Sequence, residues 1–328
     1  MTQPALELVD ASKSFNGRAA VRRMSFVAPT GGVIGFLGPN GAGKSTTLRM
    51  ALGVIKPDSG HARLFGAAVG PDALRNVGFL PEERGLYRRM NARSVIAFYA
   101  RLKGMSHGAS LARADELLEG YGLGAQRKTR ISRLSKGMAQ KVQILAAIAH
   151  RPDLIILDEP FSGLDPVNQQ ELEALIRAEH ARGATIVFST HVMEHAERLC
   201  DRLVIIGNGE KRFDGLVDEA LALLPSRANL TVERGFNVAP ALGSAGFVAA
   251  PQGVDADTSG DVWRVDIPQG RSPQDVLRAA IDAGAPIIAF SPVQTRLRDV
   301  FVSLTAKHAA NDDADTEAAT CKPGWRVA

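Results

Sequence analysis

Short apolar runs alternate along this chain with longer stretches of helical spacing. Leu6-Glu7-Leu8-Val9 alternates as a strand does, and Ser12 to Gly17 follows as a loop carrying Phe15, with Asn16-Gly17 as its turn signal. Val33 to Leu37 is an unbroken apolar run of strand length, and Thr47 to Leu52 reads as a helix. Gly60 to Phe65 and Val77 to Leu80 read as further strands, the second ended by Pro81. From Ser94 to Leu118 the spacing turns helical: Val95, Phe98, Tyr99 and Leu102, then Leu111, Ala114, Leu117 and Leu118. Gly104 and Gly108 are expected to break this block into at least two helices.

Leu134 to Met138 opens another helix with Val142, Leu145, Ala146 and Ala149 on its apolar face, and Ser135 is placed to cap it. Asp153 to Glu159 is a buried strand that ends in two carboxylates. Asp165-Pro166 starts the next helix by the cap-then-proline rule. Thr185 to Ser189 is one more buried strand, with His191 at its C-terminal end. Strands alternating with helices predict a largely parallel sheet. Ligands of such sheets bind beyond the carboxyl ends of the strands, where Gly38, Asp158, Glu159 and His191 converge.

After about Pro225 the pattern changes. Leu230 to Val232, Val262 to Ile267 and Ile287 to Phe290 read as strands, Val276 to Ala283 and Leu297 to Leu304 as helices, together a small α+β domain. From about Lys307 the chain is polar and reads as a disordered tail containing Asp312-Asp313-Ala314-Asp315 and a lone Trp325. The expected division is 1–224, 225–306 and 307–328. A length of 328 residues fits about two domains.

With 45% hydrophobic and 23% charged residues the composition is that of a soluble globular chain. No apolar run approaches the roughly 18 residues that span a bilayer. Met1 to Asp10 lacks a basic-then-apolar signal segment. The two cysteines, Cys200 and Cys321, build neither a disulfide framework nor a metal site. A cytosolic protein is expected. The net charge of +4 is mild, but basic residues gather at Arg84-Arg88-Arg89-Arg93 and at Arg127-Lys128-Arg130-Arg133-Lys136. Those clusters read as a solvated face or as a surface near anionic lipid or nucleic acid.

The chemistry concentrates in Gly38-Pro39-Asn40-Gly41-Ala42-Gly43-Lys44-Ser45-Thr46, which has the G-x-x-x-x-G-K-S spacing of a phosphate-binding loop between a strand and a helix. Its glycines let successive N–H groups turn inward, and the positive end of the helix faces the same point, so the loop suits phosphate. Lys44 is assigned to the β- and γ-phosphates and Ser45 to Mg²⁺. Asp158 would hold Mg²⁺, usually through water, and Glu159 would orient the attacking water or accept its proton. His191 admits several readings. His191-Val192-Met193-Glu194-His195 spells the H-x-x-E-H of one zinc protease class. That chemistry needs both histidines on one helix face, whereas His191 follows a strand, which favours a γ-phosphate contact over a metal or a structural role. His195 reads as a helix-surface residue.

With these motifs in order, the chain from about residue 5 to 220 resembles the nucleotide-binding subunit of an ABC transporter. The resemblance makes Phe15 the adenine-stacking aromatic and adds a loop at Pro81-Glu82, a signature at Leu134-Ser135-Lys136-Gly137-Met138, and Ser162-Gly163-Leu164-Asp165. Leu80 to Tyr87, the signature and the small C-terminal domain look like the sodium-efflux and drug-export branch, whose ATPase and membrane subunits are separate chains. The fold it implies is an α/β P-loop NTPase of ABC type. It has a mostly parallel sheet core, an antiparallel N-terminal β subdomain and a helical insertion at about 92–136, followed by the α+β domain. In the family, Ser135 and the Gly137 N–H cap the γ-phosphate bound by the other protomer, so a working unit is a homodimer with ATP and Mg²⁺ sandwiched between two chains.

The resemblance further implies a separate transmembrane permease as partner, export through it, and a place on the cytoplasmic face of the membrane. No nucleic acid and no zinc are expected. Three positions depart from the pattern. Glu82 stands where the family has Gln and accepts only when ionised, although it could still reach Mg²⁺. Lys136 replaces a Gly and Met138 a Gln, leaving the Ser135 and Gly137 contacts intact. The rival reading is a soluble ABC-type ATPase acting on ribosomes or DNA, which usually carries two nucleotide domains or a long coiled-coil insertion, and this chain shows neither.

Overall fold

The computed structural model of the chain describes residues 3–83, 85–255 and 259–304. Its contacts divide it into two compact units at Val217/Asp218. The first unit begins with β1 (Leu6–Phe15), β2 (Arg18–Ala28), β3 (Val33–Leu37), α1 (Lys44–Ala51), β4 (Ser59–Leu64), β5 (Ala67–Ala68), α2 (Pro71–Arg75) and β6 (Val77–Leu80). It continues with α3 (Ala92–Leu102), α4 (His107–Gly120), α5 (Lys136–Ile148), β7 (Leu154–Leu157), α6 (Pro166–Ala181), β8 (Thr185–Thr190), α7 (Met193–Leu199), β9 (Arg202–Gly207) and β10 (Glu210–Leu216).

A six-stranded sheet in the order β10-β9-β3-β8-β7-β6 forms the centre, parallel except where β10 pairs with β9. Every residue of β3, β7 and β8 is buried. That is why these strands read as continuous apolar runs rather than alternating ones: layers cover both faces. Ile155, Leu157, Ile186 and Phe188 point into a core shared with α3 to α6. Ile34, Phe36, Ile156 and Val187 point to the opposite core, shared with α1 and the antiparallel sheet β2-β1-β4-β5. Register sets Leu37 beside Thr190 and Leu157 beside Phe188, so three strand ends open at one edge.

In the helical segment, Asn91 caps α3 through Ser94 N–H at 2.8 Å. Arg93 clamps α3 to α4 by a two-pronged pair with Asp115 at 2.8 and 2.7 Å. Two short 3₁₀ turns, Gly124–Gln126 and Ile131–Arg133, lead to α5.

After α8 (Val217–Leu221), the second unit contains β11 (Ser226–Val232), α9 (Ala239–Ser244), β12 (Val248–Val254), β13 (Asp261–Ile267), α10 (Pro273–Asp282), β14 (Ile287–Val293) and a helix over 297–304. Its antiparallel sheet runs β12-β13-β11-β14. Ala228, Leu230, Val265 and Ile267 pack there with Leu242 of α9 and Val276 and Ala280 of α10.

Several local expectations are corrected. The Ser12 to Gly17 segment is not a loop: β1 runs through Phe15, held where Asp58 accepts from Lys13 at 2.6 Å and from the Ser14 N–H at 2.8 Å. The turn itself is Asn16-Gly17, both at positive φ (49° and 78°), as a tight hairpin of this hand requires. α1 begins at Lys44 rather than Thr47, because Lys44 and Ser45 are polar members of its first turn and escape an apolar-periodicity reading. Gly104, at φ 99°, follows α3, but Gly108 lies inside the first turn of α4, where Ser106 caps the helix. Strands β2, β5, β9, β10 and β12 and helices α2, α8 and α9 were not anticipated. β2 interleaves Arg18, Arg22 and Arg23 with apolar residues, and β10 carries Glu210, Lys211, Arg212 and Asp214. Arg84, Cys321, Trp325 and the tail from Lys307 lie outside the described residues.

His150, just beyond α5, donates Nε2–H to the Val77 carbonyl at 3.2 Å. Burial, and then the Lys103 charge, lowers its pKa from 6.5 to about 4. The unfolded chain therefore binds the proton first on acidification, so this contribution to stability is complete above pH 6.5 and is lost as pH falls toward 4. His150→Gln keeps a donor for Val77 and cannot charge; its urea midpoint is expected to vary less between pH 7 and pH 4.5 than that of the wild type.

Candidate active site

The loop Gly38–Ser45 leaves the end of β3 and turns into α1. Gly41 and Gly43 take φ of 80° and 98°, and a Cβ on Gly43 would lie 2.6 Å from the Ala20 carbonyl oxygen. Only glycine fits there without strain. The same contact brings the β1–β2 hairpin against the loop. Phe15 pairs with Arg18 near the tip of that hairpin and is 45% exposed, with Lys13 Nζ over its ring at 5.7 Å from the centroid.

Lys44 is buried at the first turn of α1. Its Nζ donates to the Gly38 carbonyl at 2.7 Å and the Pro39 carbonyl at 3.2 Å, and pairs with Glu159 Oε1 at 3.1 Å. Glu159 follows β7 at φ 48°, a left-handed backbone that costs a residue with a side chain about 1–2 kcal/mol. His191, at the end of β8 and about half exposed, meets its other oxygen: Nδ1 lies 2.9 Å from Oε2. One carboxylate therefore bridges the loop lysine and the histidine.

Beside it, the Asp158 carboxylate is almost wholly buried. Its Oδ1 accepts from Ser45 Oγ at 3.1 Å and from Ser189 Oγ at 2.6 Å, while its buried Oδ2 has no hydrogen-bond partner. A hydroxyl and an unpartnered carboxylate oxygen are hard donors of the kind Mg²⁺ takes alongside phosphate oxygens and water. These residues fit that ion. Ser189 also accepts the Glu159 N–H at 2.8 Å, so one hydroxyl orients both carboxylate residues. It was missed in the sequence, where the only trace is a polar Ser189-Thr190 pair closing an apolar strand.

Glu82 is exposed on the rim of an open cleft of about 350 Å³ that Pro81, Lys136, Asp158, Glu159 and Ser162 also line. Ser135 is the cap of α5: its Oγ accepts the Met138 N–H at 3.2 Å, which leaves its own O–H free to donate. Among the described residues no hydrogen bond or ion pair joins Ser135 or Gly137 to the phosphate loop. Asp165 caps α6, accepting from the Asn168 N–H at 2.9 Å, and that bond holds its pKa below the usual carboxylate range.

His195 departs from expectation. It is 3% exposed rather than on the helix surface, with Nδ1 on Glu173 at 3.1 Å. His191 precedes α7 and His195 lies within it, so the two do not share a helix face as H-x-x-E-H zinc chemistry needs.

The chain is similar to known proteins. A sequence profile described as ABC transporter matches residues 21–162. The chain is 39% identical over 214 residues to the uncharacterized ABC transporter ATP-binding protein YhaQ of Bacillus subtilis (strain 168), spanning 65% of this chain and 72% of that one. It is 34% identical over 329 residues to the daunorubicin/doxorubicin resistance ATP-binding protein DrrA of Streptomyces peucetius, spanning 97% and 98% of the two. A solved structure of an ATP binding subunit of an ABC transporter superposes with a TM-score of 0.63 at 32% identity, covering 67% of this chain and 92% of that one.

Ser189→Ala strips partners from a buried N–H and a buried carboxylate at once. Urea unfolding is expected to show a loss of about 2 kcal/mol. A midpoint equal to wild type would mean that Ser189 does not hold the pair.

Proposed function

The chain belongs to the ABC transporter ATP-binding proteins, and on that premise we propose that it is the ATP-hydrolysing motor of a drug-export-type transporter, acting as a pair of chains on a separately encoded permease. The observation that carries the reading is the bridge Lys44–Glu159–His191, buried at Lys44 and Glu159, set beside Asp158 and Ser45.

The residues divide the work as follows. Gly38, Pro39, Asn40, Gly41, Ala42, Gly43 and Thr46 shape the loop that cradles the phosphates, whose charge the α1 N-terminus favours. Lys44 exchanges Glu159 and two carbonyls for the β- and γ-phosphates. That exchange releases Glu159 Oε1 to accept from the attacking water, while His191 keeps Oε2 in place. Glu159 is the general base and His191 positions it and contacts the γ-phosphate. Ser45 and Asp158 would hold Mg²⁺, with Glu82 at the rim as an additional acceptor; when bound, the ion neutralises charge on the phosphates. Phe15 stacks on the adenine. Ser135 and Gly137, at the tip of α5, offer a second anion site that serves the nucleotide held by the partner copy, with Asp165 at the same junction. Two copies in head-to-tail order complete two sites.

Full-length similarity to DrrA supports the assignment of both units, including a C-terminal domain from about residue 225, to this export branch. Among the described residues no helix is long and apolar enough to cross a membrane. A separate permease, reached through Tyr87-Arg88-Arg89-Met90, would then hold the chain at the inner membrane face.

Glu159→Gln is expected to lower steady-state hydrolysis by roughly 100-fold or more and to accumulate an ATP-bound dimer on size exclusion. Near-normal turnover would reject Glu159 as the base. Lys44→Ala is expected to weaken equilibrium ATP binding roughly tenfold or more, because a charge-assisted contact to phosphate is lost; unchanged affinity would overturn the loop assignment.

A further inference from the structure

His195 reads as a surface residue of a polar helix, yet its ring is buried face to face on Phe161, with centroids 3.9 Å apart and planes at 10°. Its Nδ1–H donates to Glu173 Oε1 at 3.1 Å, and Arg198 Nη2 reaches the same oxygen at 2.6 Å. Phe161 is 4% exposed and meets Phe188 of β8 edge-on on its other side, at 5.9 Å and 73°. The imidazole is thus anchored to α6 and presses an aromatic ring against the central sheet.

Both stacked residues are close in sequence to the chemistry. Phe161 lies two residues beyond Glu159, and His195 four beyond His191. Glu159 adopts the left-handed backbone, which persists only where neighbouring contacts over-determine it. Some of those contacts are polar: the Glu159 N–H on Ser189, the Ser162 N–H on the Glu159 carbonyl at 3.1 Å, and Gln140 Nε2 on the Pro160 carbonyl at 2.7 Å. The first of them ties the Glu159 turn to β8 ahead of His191. The ring stack ties it to α7, the helix that follows His191.

We propose that His195 is a positioning residue for ATP hydrolysis: by stacking on Phe161 it clamps the turn bearing Glu159 to the helix that follows His191, and so sets the 2.9 Å contact between them. The inference rests on Glu159 being the base. It identifies the stack, rather than the hydrogen bond to Glu173, as the part that acts on the turn; Glu173 and Arg198 orient the imidazole. A ring that merely filled space would change global stability alone. A clamp changes the local order of the turn and the chemical step, and leaves nucleotide binding untouched.

The test compares His195→Ala, His195→Phe and His195→Gln in the full-length chain by amide hydrogen exchange without nucleotide and by steady-state ATPase kinetics. In His195→Ala, exchange over 158–163 is expected to rise and kcat to fall roughly tenfold, given the sensitivity of catalysis to ångström displacements, with KM for ATP within about twofold. His195→Phe keeps a flat ring and is expected to restore both readouts. His195→Gln can reach Glu173 but cannot stack, and is expected to restore neither. Unchanged exchange and kcat in His195→Ala would sink the clamp, as would rescue by Gln and not by Phe. Should His195→Ala fail to fold, the Phe and Gln pair decides by the same readouts. A wild-type chain that never hydrolyses ATP would instead overturn the functional reading, and the exchange experiment would still judge the clamp.

Discussion

The structure depends on one buried ion pair, Lys44 with Glu159, at 3.1 Å and with both side chains more than nine-tenths buried. Two charges out of water are costly unless each finds partners for its remaining valences. Here Lys44 also donates to two loop carbonyls and Glu159 also meets His191, so every contact made by the pair belongs to the site. On the proposed mechanism the same pairing holds the base until phosphate draws the lysine away, which would make stability of the resting site and readiness for hydrolysis one arrangement.

Strand order makes the pair possible. β8 lies between β3 and β7, so the loop after β3 and the carboxylates after β7 face each other across the end of β8. Ser189 near that end bonds both Asp158 and the Glu159 backbone, and His191 just beyond it bonds the Glu159 side chain. A left-handed Glu159 would relax without such restraint.

Much of the fold was legible because its central strands are buried on both faces and announce themselves as apolar runs; β3, β6, β7 and β8 all fall where Val33 to Leu37, Val77 to Leu80, Asp153 to Glu159 and Thr185 to Ser189 suggested. The antiparallel elements were harder. β2 and β10 interleave charged residues with apolar ones, so no clean hydrophobic alternation marks them as strands. The phosphate loop and the Asp158-Glu159 pair were readable as chemistry, whereas Ser189 and His195 were not, since a serine in a strand and a histidine in a polar helix carry no distinctive local signal.

What the chain determines by itself is the set of local conformations and reactive groups: glycines where φ must be positive, a lysine and serine opening a helix, carboxylates closing a strand. These depend on residues that are contiguous, so they survive in the linear order. Only the tertiary structure decided that Lys44 would face Glu159, that one hydroxyl would serve two carboxylate residues, and that His195 would leave the surface to lie on Phe161. Those outcomes depend on which strands become neighbours and which ring fills the space between them, and packing settles that between segments far apart in sequence.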